Sequence, residues 1–227
     1  MNATESALID HGVAPERGPD ARDRILSAAE SLFAIRGFEG VSTTQIAKVA
    51  GITQPLIHYH FKNKEALWKA TVSRLFGRLS QEFSSELKTL QQSDSHRYMV
   101  EMIRCYVTFV ARYPQFGQFI LREGVQESSR LDWMVDEWLK PLLDQFHEVY
   151  EEGLAEGWVK DIPFPQLIML LTASASHFFS MAPLVKCLYG VDANSPEQVL
   201  AHSDAVVEVA VNAILRQPVR NEEVISA

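Results

Sequence analysis

Only two cysteines occur in the 227 residues, Cys105 and Cys187, and they do not form a CxxC pair. No dithiol redox motif or paired-thiolate metal site follows from them, and a free buried thiol is the expected role of each. Catalytic signatures are missing as well. The chain contains no GxSxG elbow, no GxGxxG, no phosphate-binding loop and no HExxH. His58 and His60 stand two apart on a helix, so they point to different sides and do not chelate. His147 and Glu148 are adjacent rather than opposed, and Glu151 with Glu152 sits on a polar helix face. No enzyme activity, cofactor or metal is therefore expected. No charged, apolar, small-residue leader opens the chain, and the expected location is the cytoplasm with thiols reduced. Internal repeats and strand patterns are absent too. What remains is an all-α reading with about nine helices.

One stretch calls for a membrane check. Ile162 to Val185 carries no charged residue and is long enough to span a bilayer. It also holds Pro163, Pro165, Gln166, Thr172, three serines, His177 and Pro183. Ser174, Ala175 and Ser176 suit close helix packing. A buried interface helix is expected there, and no membrane.

Hydrophobic residues make up 47% of the chain, enough for a full core, and the formal charge is −8. That sign argues against a nucleic-acid binder until its distribution is read. From Arg17 to Arg78 there are ten Lys/Arg and five Asp/Glu, a net of +5, which leaves −13 for the rest. A basic N-terminal third on an acidic body is a local footprint, and the local charge is what meets phosphate.

Within that basic third lies Ser42 to Lys64, STTQIAKVAGITQPLIHYHFKNK, which reads as two short helices around a tight turn. Ser42 and Gln45 have capping-box spacing. Ile46, Val49 and Ala50 fall at i, i+3 and i+4 as one apolar face. Gly51 can leave a helix at positive φ, Thr53 can cap the second helix, and Pro55 falls in its first turn. Ile57, Phe61 and His60 face inward, and Gln54, Leu56, His58 and Tyr59 face out. A helix-turn-helix presents the start of its second helix to base edges in the major groove. Gln pairs bidentately with adenine, and an apolar side chain such as Leu56 touches a thymine methyl. Lys64 opens the next helix, where its charge and the free N–H groups suit a phosphate.

From about Asp23 to Trp68 the chain resembles the DNA-binding domain of the TetR family of bacterial repressors. The matching pieces are RILSAAESLFAIRGF, STTQIAKVAGIT and LIHYHFKNKEAL. Gln54-Pro55 followed by HYHFKNK is similar to a tetracycline-repressor-like recognition helix. The resemblance implies base reading by Gln54, Pro55, Leu56 and His58, and phosphate contacts by Tyr59 and Lys64. Ser42, Thr43, Thr53 and His60 complete the candidate DNA-binding set. The family most often has Lys-Gly or a similar small pair where this chain has Gln54-Pro55, so a generic operator is not implied.

The remaining chain matches in helical layout. Residues 1–19 read as a tail; Arg17, and Arg22 just beyond it, suit a DNA backbone or minor groove, with plain solvation the simpler expectation. The first helix starts near Asp20 with Ile25, Ala29, Leu32 and Phe33 on one face, and stops at Gly37 with Phe38 folding back. A long fourth helix, Lys64 to about Leu90, carries the stripe Leu67, Val72, Leu75, Leu79, Phe83 and Leu87, and QQSDS breaks it. Further helices are expected at Ser95–Tyr113, from Pro114 to Gly124 with Phe116, Phe119, Ile120 and Leu121, and at Ser128–Glu156 with a kink at Pro141. Another starts near Pro163. The last starts at Ser195-Pro196-Glu197-Gln198 and runs through Val199, Val206, Val209, Ala210 and Ala213 to about Arg216. The expected architecture is a three-helix DNA-binding domain over 20–66, a larger helical ligand-binding and dimerisation domain over 67–217, and a frayed end at 218–227.

The larger domain holds more aromatic residues than one helix seam needs, and pockets between bundle helices are lined this way. Tyr106, Phe109, Phe116 and Trp138 are the candidate lining, with Arg104, His147 and His177 as orienting polar groups. The expected partners are palindromic double-stranded operator DNA, a second copy of the chain and a small-molecule effector. Ser174, Ala175, Phe178, Val206, Ala210 and Ala213 are expected at the seam between copies. The rival readings are a small-molecule binding protein or enzyme that retains the DNA-binding fold, and a membrane-associated adaptor. The basic N-terminal module and the missing catalytic motifs favour the ligand-responsive repressor.

Overall fold

The computed structural model describes residues 20–87 and 95–216. Eleven α-helices are found among them: α1 (Ala21–Arg36), α2 (Thr43–Ala50), α3 (Gln54–Phe61), α4 (Lys64–Leu87), α5 (Ser95–Arg112), α6 (Pro114–Gly124), α7 (Ser129–Met134), α8 (Lys140–Glu156), α9 (Phe164–Ser180), α10 (Ala182–Tyr189) and α11 (Pro196–Ile214). A π-helical stretch, Val135–Leu139, joins α7 to α8. An isolated bridge from Val159 to Leu215 ties the α8–α9 connection to the end of α11. The fold is all-α, with a small N-terminal three-helix unit ahead of a larger helical body. The expected tails, Arg17 among them, and all but Ser95 of the expected stop at QQSDS lie outside the described residues.

Two expected helices are divided. The one across Ser128–Glu156 breaks just before Pro141, which has no N–H to return to the preceding turn. The Lys140 N–H instead reaches the Val135 carbonyl, five residues back, as a π-turn does. The uncharged run through Ile162–Val185 becomes α9 and α10, which meet at 68°. Pro183 then lies in the first turn of α10, where its missing N–H costs nothing. Among the described residues no single helix is long and apolar enough to cross a membrane.

The turn of the helix-turn-helix follows its sequence signals. Gln45 N–H donates to the Ser42 hydroxyl, and Ser42 N–H donates to the Gln45 side chain at 2.9 Å. Gly51 takes φ 65° and lets the chain leave α2. Val49, expected inside, is 61% exposed. The buried arc is set by Ile46, Ala47 and Ala50, and at about 100° per residue Val49 lies roughly 110° from its centre. Thr53 stands at the start of α3 but makes no side-chain cap bond, contrary to expectation.

Helix α4 joins the two parts. Leu67, Trp68, Val72, Leu75, Phe76, Leu79, Phe83 and Leu87 form one buried stripe along it. Its polar side clasps α1: Arg78 pairs with the buried Glu30 at 3.2 Å, and Arg74 donates to the Asp23 carbonyl and the Ser27 hydroxyl. Helix α6 holds the other end of α1 through Arg122 Nε, which donates to the Ala34 carbonyl at 2.7 Å. Of the apolar residues that α6 carries, Phe116 and Phe119 are buried and Leu121 is exposed. Cys105 is half-buried and Cys187 exposed, so the buried-thiol expectation fails for Cys187.

Candidate nucleic-acid interface and effector cavity

The N-termini of α2 and α3 meet at one side chain. Gln54 Nε2 donates to Thr43 Oγ1 at 3.1 Å, and Gln54 Oε1 accepts from Thr44 Oγ1 at 3.0 Å. Thr44 was not singled out from the sequence, because its role depends on where α3 crosses α2. A Gln amide offers two hydrogens and two lone pairs. The threonines take one of each and hold the plane of the amide. One donor and one acceptor remain, the two kinds of group an adenine edge pairs with.

The rest of the outer face is built around the end of α3. Pro55, His58 and Tyr59 are exposed, and Leu56 is half-buried. His58 Nδ1 lies 3.1 Å from the Lys62 carbonyl. A carbonyl only accepts, so Nδ1 carries the hydrogen and Nε2 is the free ring nitrogen. Lys62 makes this possible by taking φ 62°, the one non-glycine residue at positive φ among those described. Asn63 caps α4 by accepting from Ala66 N–H at 2.8 Å. His60, expected inward, is half-buried between the rings of Tyr59 and Phe61. Lys64 Nζ lies 4.1 Å from the Phe38 ring centre. Together with Ser42, Thr43, His58, Asn63 and the carboxylate of Glu39, which pairs with Arg130 at 3.7 Å, Lys64 lines an open groove at the foot of the motif. Backbone N–H groups at two helix starts and a cation at its edge suit that groove to phosphate oxygens.

Arg130, at the start of α7, connects this face to the body. Its guanidinium lies 4.0 Å from the Phe38 ring centre and 5.9 Å from that of Trp68. It pairs with Glu123 at 3.3 Å and with Glu39 at 3.7 Å. Burial pushes the Glu123 carboxyl above its usual pKa, and the Arg130 charge opposes that shift.

Deeper in the body a cavity of about 330 Å³ lies among α4, α5, α6, α8 and α9. Tyr106, Phe116 and His177 line it. Four other candidates do not. Arg104 pairs with Asp204 of α11 at 2.8 Å, and Phe109 is sealed in the core against Tyr113 and Phe116. Trp138 stacks on Phe76 at 5.7 Å, and His147 lies against Phe164 at 4.3 Å and pairs with Glu151 at 3.2 Å. They have the right chemistry on the wrong helix face. The lining includes Thr172, Ser176 and Ser180, none of which was expected at a pocket. Their four-residue spacing along the uncharged helix was the available signal.

Three of the six residues expected at a seam between copies are already buried within the chain. Ala175, Val206 and Ala210 are buried within a single chain, because α9 and α11 already pack on each other there. His202 donates to the Ser174 carbonyl at 3.0 Å and stacks on the half-buried Phe178 at 4.5 Å. Ser174 and Ala213 are exposed. So are the large apolar residues Leu170 on α9, Leu184 and Leu188 on α10, and Leu200 and Val209 on α11.

Comparison with known proteins agrees with this fold. Residues 25–71 match the family model for bacterial regulatory proteins of the tetR family, and residues 96–210 match that for the tetracyclin repressor-like C-terminal domain. The chain is similar to the HTH-type transcriptional regulator RutR of Escherichia coli strain K12, 29% identical over 82% of this chain and 87% of the relative. It is also similar to the HTH-type transcriptional repressor NicS of Pseudomonas putida, 24% identical over 74% of this chain and 80% of the relative. Among solved structures it shares its fold with HlyIIR, a hemolysin II transcriptional regulator, at a TM-score of 0.65 and 21% identity over 87% of this chain and 98% of the other. A tetR-family protein from Rhodococcus RHA1 aligns at a TM-score of 0.68 and 16% identity, over 88% of this chain and all of the other.

Proposed function

Because the chain belongs to the TetR family of bacterial regulatory proteins, we propose that it is a sequence-specific repressor of transcription whose hold on operator DNA is set by a small molecule in the body. The single observation that carries the base-reading role is the Gln54 amide, fixed by Thr43 and Thr44 with one donor and one acceptor free. His58, with Nε2 free, and the exposed Pro55 and Tyr59 extend the contact, and Leu56 lies beside them for a thymine methyl. Ser42, Thr43, Thr53 and Lys64 meet the phosphates, and His60 braces the rings beside it. Residues 20–66 form the DNA-binding part and 67–217 the effector and dimer part. Two copies, joined along α9 and α11, set two α3 helices on the half-sites of a palindrome. The protein acts in the cytoplasm, where that DNA is.

Helix α4 supplies the switch. Lys64 lies at the DNA face, and Phe83, five turns further on, lines the cavity. A ligand that displaces the Phe83 end moves the Lys64 end, since a packed helix shifts as one piece. The test of the DNA role is Gln54→Ala. On the duplex that the wild-type chain retains from a random pool, it is expected to cost about 1–3 kcal/mol, with little change on random duplex. Equal losses on both would remove Gln54 from base reading.

A further inference from the structure

The cavity also constrains what can enter it. Among the described residues, its walls contain no Asp, Glu, Lys or Arg. Phe83, Met102, Phe116, Phe146 and Ile168 are buried around it, and His177 stands exposed at its rim. The few polar groups are unequal. Thr172 donates to the Ile168 carbonyl and Ser176 to the Thr172 carbonyl at 2.7 Å, so both hydroxyl hydrogens are committed to α9 itself. Tyr106 differs. Its hydroxyl has no hydrogen-bond partner among the described residues, and burial raises its pKa, so it stays protonated and able to donate. An ion placed here would lose its hydration and meet no opposite charge. A neutral apolar molecule would lose little and gain contact on every side. The volume lies near the lower end of the roughly 300–1,000 Å³ of small-molecule sites.

We propose that the cavity takes an uncharged, mostly apolar molecule of modest size with one hydrogen-bond acceptor, and that the acceptor meets the Tyr106 hydroxyl. This rests on the cavity being the effector site. The selectivity is for charge state: an alkyl ketone enters, and the carboxylate of the same length does not.

The test uses the full chain and two fluorescent probes with one skeleton. N-phenylnaphthylamine is neutral, and anilinonaphthalene sulfonate carries an added anion. The neutral probe is expected to saturate at one per chain, with the anion weaker by about tenfold or more. Methyl octyl ketone is expected to displace the neutral probe, and decanoate, at a pH where it is ionised, is not. Tyr106→Phe keeps the ring and removes the donor. It is expected to weaken the ketone about five- to tenfold while the neutral probe binds as before. Displacement by decanoate as good as by the ketone, or no saturable binding of the neutral probe, overturns the ligand class. An unchanged ketone affinity in Tyr106→Phe overturns the anchor. Titrating operator DNA with each compound separates this proposal from the switch. Neutral binding that leaves DNA affinity unchanged keeps the ligand class and removes the switch. Release by decanoate alone keeps the switch and overturns the class.

Discussion

Arginine at both Leu170 and Val209 is expected to convert a dimer into a folded monomer and to weaken operator binding by about 10²–10⁴-fold. Both side chains point away from their own chain, at 67% and 66% exposure, so neither supports the monomer core. Ala175 and Ala210 do support it, and arginine there would unfold the chain and report nothing about assembly. A row of large exposed apolar residues along α9, α10 and α11 is unusual on a monomer surface and normal at a permanent interface. One helix-turn-helix grips a few base pairs. A second on the same dimer binds at high effective concentration, and that advantage disappears when the subunits part. Sedimentation and operator titration of the double variant check this together. A dimer of unchanged stability would move the interface to another face.

The second large effect lies at the joint. Trp68→Ala is expected to cost about 3–5 kcal/mol, against a typical total of about 5–15 kcal/mol. Trp68 is 0% exposed. Its ring meets Trp133 edge-on at 5.9 Å and Phe38 at 6.5 Å, with Arg130 above it. It therefore joins α4, the loop after α1 and the α7 turn in one contact. Trp68→Phe is expected to cost much less. The indole N–H has no hydrogen-bond partner among the described residues, so the phenyl ring forfeits volume but none of those hydrogen bonds. Urea melts of the two variants test this. Similar losses for Phe and Ala would mean that the indole N–H has a partner after all, and a loss below about 1 kcal/mol for Ala would mean that the joint is loosely packed.

The parts of the fold that were legible in the sequence are those set by neighbours along the chain. Ser42 with Gln45, Gly51, Pro55 and Ser195 with Gln198 each act within one turn of helix, and each starts or ends an element near where expected. Pro141 announced a disturbance, but whether it becomes a kink or a π-turn depends on what the helix packs against. The division at Met181 was hidden because Pro183 reads equally as an interruption within a helix and as the start of one. At the DNA face, residue type and spacing pointed to Gln54, whereas its bonds to Thr43 and Thr44 depend on how two helices cross. In the cavity the aromatic count pointed to the right region and to Tyr106 and Phe116. It also selected Phe109 and Trp138, because it carries no information about which way a ring faces. Arg130 gave no signal, since its partners come from three separate segments: Phe38 with Glu39, Trp68, and Glu123.

The central claim is that this chain, as a two-fold pair, reads a DNA sequence through α3. It is tested most directly by offering the purified full chain a pool of random duplex at moderate salt and sequencing what it keeps. The account predicts enrichment of an inverted repeat whose half-site centres lie about one helical turn apart or somewhat more. A retained pool no different in sequence from the input would contradict it, and would leave a small-molecule binding protein on a DNA-binding fold.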